Sequence, residues 1–256
     1  MLYNGLVFCE LITYNARKSI IKVKYKYNKS KIMHNGVDEM FKAVVFDMDG
    51  VILDSEKIYR IYEKKAAEHY GLPLDRIDEF CKRIAGGTKE TNALVFDSFF
   101  DTDIHYYDYR EVVNAGVEKY ATEHGYEVKP GVKELFDYLK SKDIKIALAT
   151  STAKERANRF LKPHGLLEYF DAMLFGDVIT PGRGKPHPDI YLSACKALGV
   201  DPSETIGVED SINGIKSSSA AGLYTVMVID LIEPDEEEKK IPDVIYDKII
   251  DIKNLV

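Results

Sequence analysis

The chain is short of cysteine. Only Cys9, Cys81 and Cys195 occur among 256 residues, far apart and with no CxxC pair. This scarcity excludes a disulfide framework and a thiolate zinc site, and it fits free thiols in a reducing, cytoplasmic setting. Long apolar runs are missing too. None approaches the roughly 18 residues of a membrane-spanning helix, so no membrane partner is expected. Positive charge is not in excess: 35 Lys+Arg stand against 42 Asp+Glu, a formal charge of −7. A general nucleic-acid binder needs a basic face and is disfavoured, while a local phosphate site remains open. Internal repeats and low-complexity tracts are also lacking. What is there is ordinary for a soluble globular protein: 45% apolar and 30% charged residues. The length suits one large domain or two modest ones with a sizeable core. Cys195, flanked by Tyr191, Leu192 and Leu198, is expected on a packed helix face.

Residues 1–39 stand apart. They carry seven basic and three acidic residues, a local charge of +4, which leaves −11 on the remainder. A mildly apolar opening precedes the basic stretch Arg17–Lys31, the reverse of a secretory signal. Ile20, Val23, Tyr25 and Tyr27 alternate as in a strand. Three readings compete: a start at Met40 behind a spurious or disordered leader, an accessory extension, and a targeting segment. The first is the working expectation.

From Phe41 onward, short apolar runs alternate with helical patterns. The runs are Phe41–Phe46, Ile144–Ala149, Ala172–Phe175, Thr205–Val208 and Thr225–Ile229. The helices expected between them are Val132–Ser141, Ala153–His164, Pro188–Leu198 and Ser211–Ala221, with Gly222 suited to a left-handed helix end. Alternation of this kind indicates βαβ units: an α/β, Rossmann-like parallel sheet. Residues 55–126 break it. They read as four helices over Glu56–Tyr70, Leu74–Ile84, Thr88–Phe99 and Tyr107–His124, with Gly71-Leu72-Pro73 and Gly86-Gly87 as separators. The expected organisation is a catalytic core of residues 40–54 and 127–256 with an inserted all-helical cap over 55–126. The acidic run Asp235–Glu238 reads as a solvated loop or helix face.

In a parallel sheet, ligands bind outside the carboxyl ends of the strands. Asp47 closes the first run, Thr150 the second, and Glu209-Asp210 the Thr205–Val208 run, while Lys185 lies in a Gly-rich loop before a helix. Asp47-Met48-Asp49-Gly50 offers two carboxylates at a sharp turn. One carboxylate can attack phosphorus and the other can carry a proton. Four carboxylates together repel one another and would raise each other's pKa. A hard cation such as Mg²⁺ resolves that crowding. Lys185 would add positive charge against the nucleophile and phosphoryl group. Thr150 and amides at the start of the next helix can hold phosphate oxygens.

FDMDGVILDSE, ALATST, GKPHPD and GVEDSINGI, in that order, resemble the four motifs of the haloacid-dehalogenase superfamily. The likeness spans about residues 41–230 and is nearest to the group of β-phosphoglucomutase and small sugar-phosphate phosphatases, whose C1-type cap the helical insert resembles. The resemblance implies that Asp47 is the phosphorylated nucleophile and Asp49 the general acid/base. It places Gly50, Thr150, Ser151 and Lys185 with Asp47 around the phosphoryl group. It implies a Mg²⁺ site formed by Asp47, Asp49, Glu209 and Asp210. On the cap, Gly87, Thr88 and Lys89 would face the substrate. Tyr59 stands where mutases of the group carry a His, and Lys89 where they carry Arg; a lysine cannot make the bidentate fork. Both departures favour hydrolysis. His69 is expected on a helix surface, and Tyr62, Tyr106, Tyr107 and Tyr109 chiefly in packing. Asn213 is left between orienting a carboxylate and capping a helix.

The expected activity is a Mg²⁺-dependent phosphatase of a small phosphorylated metabolite, a sugar or nucleoside phosphate, in a monomer or weak dimer. The rivals are a β-phosphoglucomutase-type isomerase and a non-catalytic binding protein on the same fold.

Overall fold

Residues 41–231 and 233–256 are described, in a computed structural model of the chain. The 1–39 leader lies outside the described residues. Six parallel strands form one sheet: β1 (Ala43–Phe46), β2 (Lys145–Ala149), β3 (Ala172–Leu174), β4 (Thr205–Glu209), β5 (Tyr224–Val228) and β6 (Val244–Tyr246). Their order is β3-β2-β1-β4-β5-β6, so β1 is flanked by β2 and β4.

Burial on both faces explains the continuous apolar runs. In β1, Val44 and Phe46 point to one side, where Phe46 meets Phe136 of α5 (Val132–Ser141) with ring centroids 5.0 Å apart. Ala43 and Val45 point to the other and join Ile190, Ala194 and Cys195 of α7 (Asp189–Leu198). Each such buried Val or Phe contributes about 1.5–3 kcal/mol. Cys195 is buried as expected beside Tyr191 and Leu198, but Leu192 points outward, 43% exposed. Leu192 follows Tyr191 directly, and on a helix its turn carries it off the packed face.

Two further helices complete the layers, α6 (Lys154–Leu161) and α8 (Ile212–Ala220). The β6 strand has no counterpart in the sequence reading. It is three residues long, pairs only with β5 at the sheet edge, and follows the polar connection 230–243.

Between β1 and α5 lie four helices and no strand: α1 (Glu56–Tyr70), α2 (Ile77–Ile84), α3 (Lys89–Phe99) and α4 (Tyr106–His124). The expected 74–84 helix begins as a 3₁₀ turn, Leu74–Arg76, directly after Pro73. Gly116 lets α1 approach α4 closely: a Cβ there would lie 2.1 Å from a ring carbon of Tyr62. Phe80, Phe96, Phe99, Phe100, Tyr106 and Tyr109 form the apolar centre of this insert. Tyr106 and Tyr109 are thus packing residues, whereas Tyr107 is 57% exposed. His69 is exposed, as expected.

Entry and exit of the insert run side by side. Asp54 N donates to Glu127 O and Lys129 N to Ile52 O, both at 2.9 Å. Lys57 spans the pair, reaching Asp54 at 2.6 Å and Glu127 at 3.2 Å. Farther out, Lys82 of α2 meets Glu238 at 3.0 Å. Glu238 and, at 3.9 Å from Lys82, the exposed Asp235 are therefore ion-pair partners of the insert, while Glu236 and Glu237 are exposed.

Candidate active site

Strand register gathers the polar groups. Phe46 stands opposite Leu148 on one side and Val208 on the other. The residues that follow, Asp47, Ala149-Thr150 and Glu209, therefore emerge at one sheet edge. Lys185 arrives from the loop before α7 and is 2% exposed. Its ammonium meets Asp47 Oδ1 at 2.5 Å, Glu209 Oε1 at 2.6 Å and the Ala149 carbonyl at 3.0 Å. Three protons thus have three acceptors. Burial alone would lower the Lys185 pKa, but Asp47 and Glu209 outweigh it and hold the ammonium above the ordinary lysine range.

Asp47 is 7% exposed. Burial holds its pKa well above the usual carboxylate range; Lys185 offsets part of this, and Glu209 and Asp49 add to it. Asp210 is likewise raised, by burial and then by Glu56, Asp47 and Glu209. Among the described residues, no hydrogen bond or ion pair engages the Asp210 carboxylate. The turn at Gly50 lets it come close: Gly50 has φ +77°, and a Cβ there would lie 2.0 Å from Asp210 Oδ2. The Gly50 N–H is used within the turn, donating to Leu53 O at 2.9 Å.

Asp47, Glu209 and Asp210 each offer an oxygen, all within 4.8 Å of one another. A crowded carboxylate set in which Asp47 and Asp210 are held above the usual range and Asp210 is unpaired fits a hard divalent cation. Glu209 is the most committed of the three. Its Oε1 also accepts the Tyr191 hydroxyl at 2.6 Å, and its Oε2 faces Ser211 Oγ at 3.4 Å.

Asp49 lies apart from that set, held by two hydroxyls: Ser55 Oγ donates at 2.6 Å and Thr152 Oγ1 at 2.9 Å. The Thr150 hydroxyl accepts from Thr152 N at 3.0 Å, which leaves its own proton for a phosphate oxygen. Ser151 is exposed at the rim. None of these residues is merely a helix cap. The N-cap of α6 is Ala153, and that of α8 is Ser211, whose side chain accepts from Gly214 N. Asn213 neither caps a helix nor binds a carboxylate: its Nδ2 donates to Ala85 O of the insert at 2.7 Å.

Above these groups lies a cavity of about 190 Å³ roofed by the insert. Gly87 lines it, but Thr88 and Lys89 do not. Thr88 caps α3, and Lys89 is exposed on an outer groove that Arg110 also lines. Tyr59, singled out in the sequence, lines the cavity, and four charged roof residues were missed by the sequence reading: Glu56, Arg60, Glu63 and Arg110. Arg110 pairs with buried Glu63, which also accepts the Tyr109 hydroxyl at 2.7 Å. Tyr59 lies under Arg110, 5.1 Å from guanidinium to ring centroid, and burial raises its pKa, so the phenol stays neutral. Glu56 is pushed up to about 7 by burial and by Asp49. Cys81 also lines the cavity, but burial pushes its thiol up to about 12, which keeps it unreactive.

The family model that matches residues 41–222 is that of the haloacid dehalogenase-like hydrolases. The chain belongs to this family. A phosphorylated carbohydrates phosphatase of Thermotoga maritima is 35% identical over 72% of this chain and 83% of its own length. β-Phosphoglucomutase of Bacillus subtilis is 31% identical over 73% and 83%. The crystal structure of β-phosphoglucomutase from Clostridium difficile is 26% identical, covers 83% of this chain and 93% of its own, and superposes with a TM-score of 0.65. As a haloacid dehalogenase-like hydrolase, the chain is an enzyme of phosphate-ester hydrolysis on a parallel sheet with an inserted helical cap.

Within that family, Ser55 and Glu56 belong to the first motif and were open to recognition, because a helix starting there turns its first residues back toward the strand end. Thr152 closes the ALATST motif and was equally open to recognition, whereas Tyr191 and Arg110 carried no such signal. Their contacts arise only when separate elements pack.

Proposed function

We propose that this hydrolase is a Mg²⁺-dependent phosphomonoesterase of a small phosphorylated metabolite, a sugar or nucleoside phosphate, working through phospho-Asp47. The observation that carries this reading is the Lys185 ammonium clamped between Asp47 and Glu209, with unpaired Asp210 beside them under one cavity. Asp47, Asp210 and the Asp49 main-chain carbonyl would hold the cation, with Glu209 beside them. When bound, it supplies positive charge that lets two anions meet.

The chain's own residues do the rest. The Asp47 oxygen away from Lys185 attacks phosphorus, and the bond to the leaving oxygen breaks. Asp49 delivers the proton that the leaving alcohol takes up. Lys185 and the Thr150 hydroxyl balance charge on the phosphoryl oxygens. Asp49 then removes a proton from water, whose oxygen displaces Asp47 and releases phosphate. Residues 40–54 and 127–256 would form the catalytic core and 55–126 the cap. The paired segments 52–54 and 127–129 would serve as the neck on which the cap closes to exclude water. The scarce thiols support a cytoplasmic setting.

The test is direct. Asp47→Asn should hold turnover of phosphate esters below a tenth of wild type, and more than that refutes the mechanism. With β-glucose 1-phosphate as substrate, inorganic phosphate as product supports the hydrolase; glucose 6-phosphate supports a mutase instead. The hydrolase is favoured because Tyr59, a neutral phenol, occupies the position of the mutase histidine.

A further inference from the structure

Beside the catalytic cavity lies a smaller compartment of about 20 Å³, room for about one water molecule. Glu56, Asp210 and Ser211 line both, so the two adjoin at the cation-site carboxylate. Asp230, two residues beyond β5, lines the smaller one alone. Its side chain is 9% exposed. Asp230 Oδ1 takes the Lys129 ammonium from the neck, whereas Oδ2 is buried and no donor reaches it among the described residues. Glu56 stands against the same Gly50 turn as Asp210: a Cβ at Gly50 would lie 2.0 Å from Asp210 Oδ2 and 3.2 Å from Glu56 Cγ. Four carboxylates line the compartment, Glu56, Asp210, Asp230 and Glu238. Its one ammonium, Lys82, is spent on Glu238 and Asp235. These oxygens do not make a second direct metal site. Among the described residues, the group close enough to share one ion is Asp47, Glu209 and Asp210.

A water among such acceptors gives away both protons and keeps lone pairs that no lining side chain is free to meet. Ser211 Oγ faces Glu209 Oε2 and accepts from Gly214 N, and Lys82 is engaged. A lone pair turned to a cation removes the conflict, because a coordinated water acts toward its surroundings as a donor. Mg²⁺ gives up its waters reluctantly and keeps several of them in its octahedron. Asp47, Asp210 and the Asp49 carbonyl would leave room in that octahedron for water. We propose that Asp230 and Glu56 hold the waters of the cation on the Asp210 side, as positioning residues of the cation site. The proposal rests on the cation of the reading above and deepens it. Lys129 acts through Asp230, fixing one carboxylate oxygen so that the other faces the compartment.

The experiment is calorimetric titration of Mg²⁺ into the chelator-stripped full-length protein at pH 8, without substrate. It compares wild type with Asp230→Asn, Glu56→Gln and Asp235→Asn. Asp230→Asn keeps an oxygen for Lys129 and turns an amide donor toward the water protons. Loss of such an outer partner lowers metal affinity about 10–100-fold. Asp230→Asn and Glu56→Gln should therefore each weaken Mg²⁺ binding by at least about fivefold. Asp235→Asn removes the same charge from the same connection but lines no part of the compartment, and its affinity should stay within about twofold of wild type. In chelator, both Asp230→Asn and Glu56→Gln should unfold at or above the wild-type temperature, because each removes a charge from a crowded acidic wall. A smaller loss of affinity in Asp230→Asn, or an equal loss in Asp235→Asn, would overturn the proposal. If Asp230→Asn does not fold, Glu56→Gln decides by the same threshold. Wild-type protein that takes up no Mg²⁺ sinks the cation site itself. Equal uptake by wild type and Asp230→Asn sinks the outer shell alone.

Discussion

Tyr191 and Lys185 meet at a single oxygen: the phenol hydroxyl and the ammonium each reach Glu209 Oε1 at 2.6 Å. Tyr191 is fully buried; its hydroxyl acts on the site through Glu209, while its ring lies 5.6 Å from the Lys185 ammonium. It therefore positions Glu209, which in turn positions Lys185 against Asp47. Tyr191→Phe keeps the ring and removes this bond. Hydrogen bonds to charged groups contribute about 1.5–3 kcal/mol. The expected outcome is a kcat reduced about tenfold with KM nearly unchanged, in a protein that still unfolds cooperatively. An unaltered kcat would show that Lys185 is held well enough by Asp47 and Ala149 alone.

Removal of the ammonium itself should be felt in stability before it is felt in chemistry. Lys185→Met leaves Asp47 and Glu209 buried and facing each other without a cation. Breaking one side of a buried pair costs about 3–5 kcal/mol. Lys185→Met/Glu209→Gln removes the repulsion and should regain part of that loss. Urea unfolding of the metal-free proteins measures both. A double variant no more stable than Lys185→Met would show that the loss comes from packing and not from charge.

What was legible in the sequence follows from physics that acts locally. Asp47, Thr150 and Glu209 could be placed together because parallel register aligns the ends of β1, β2 and β4, and each residue directly follows or closes an apolar run. Lys185 was legible through its motif. The cap side was not. Lys89 shares a turn with Gly87, yet Gly87 lines the cavity and Lys89 faces outward, because successive residues at a helix start diverge around its axis. Arg110 lies 63 residues from Asp47, and only the packing of α4 on α1 brings it over the site. Strand β6 escaped for a different reason. Its three residues carry too little periodicity to distinguish an edge strand from a loop.

The approach of Asp210 to the Gly50 turn gives a sharper test of the cation site than any ligand deletion. A methyl group at position 50 would overlap Asp210 Oδ2, and the backbone there, at φ +77°, disfavours a side chain in any case. Gly50→Ala should push the Asp210 carboxylate away without removing a single oxygen. Mg²⁺ affinity measured by calorimetry should fall about tenfold or more, with Asp47 and Asp210 both intact. Unchanged affinity would place the cation away from Asp210.

Glu56 allows a prediction whose sign is opposite to the usual carboxylate case. Its pKa is raised from 4.5 to about 7 in the folded protein. Between those values the folded state binds more protons at this site than the unfolded chain does, so stability falls as pH rises. The contribution is fully present below about pH 4.5 and is lost as pH passes through about 7. Glu56→Gln cannot ionise and escapes the loss. In metal-free protein at pH 8 it should be more stable than wild type. The gain should be on the order of 1–2 kcal/mol, less than the full shift implies, because the carboxyl opens onto a hydrated cavity. The advantage should shrink as the pH is lowered toward 5. Thermal unfolding of both proteins in chelator across that range measures the difference. A gap that stays constant with pH would mean that Glu56 is already charged in the fold at pH 5, paired with Arg110 or Arg60 more closely than the cavity geometry implies.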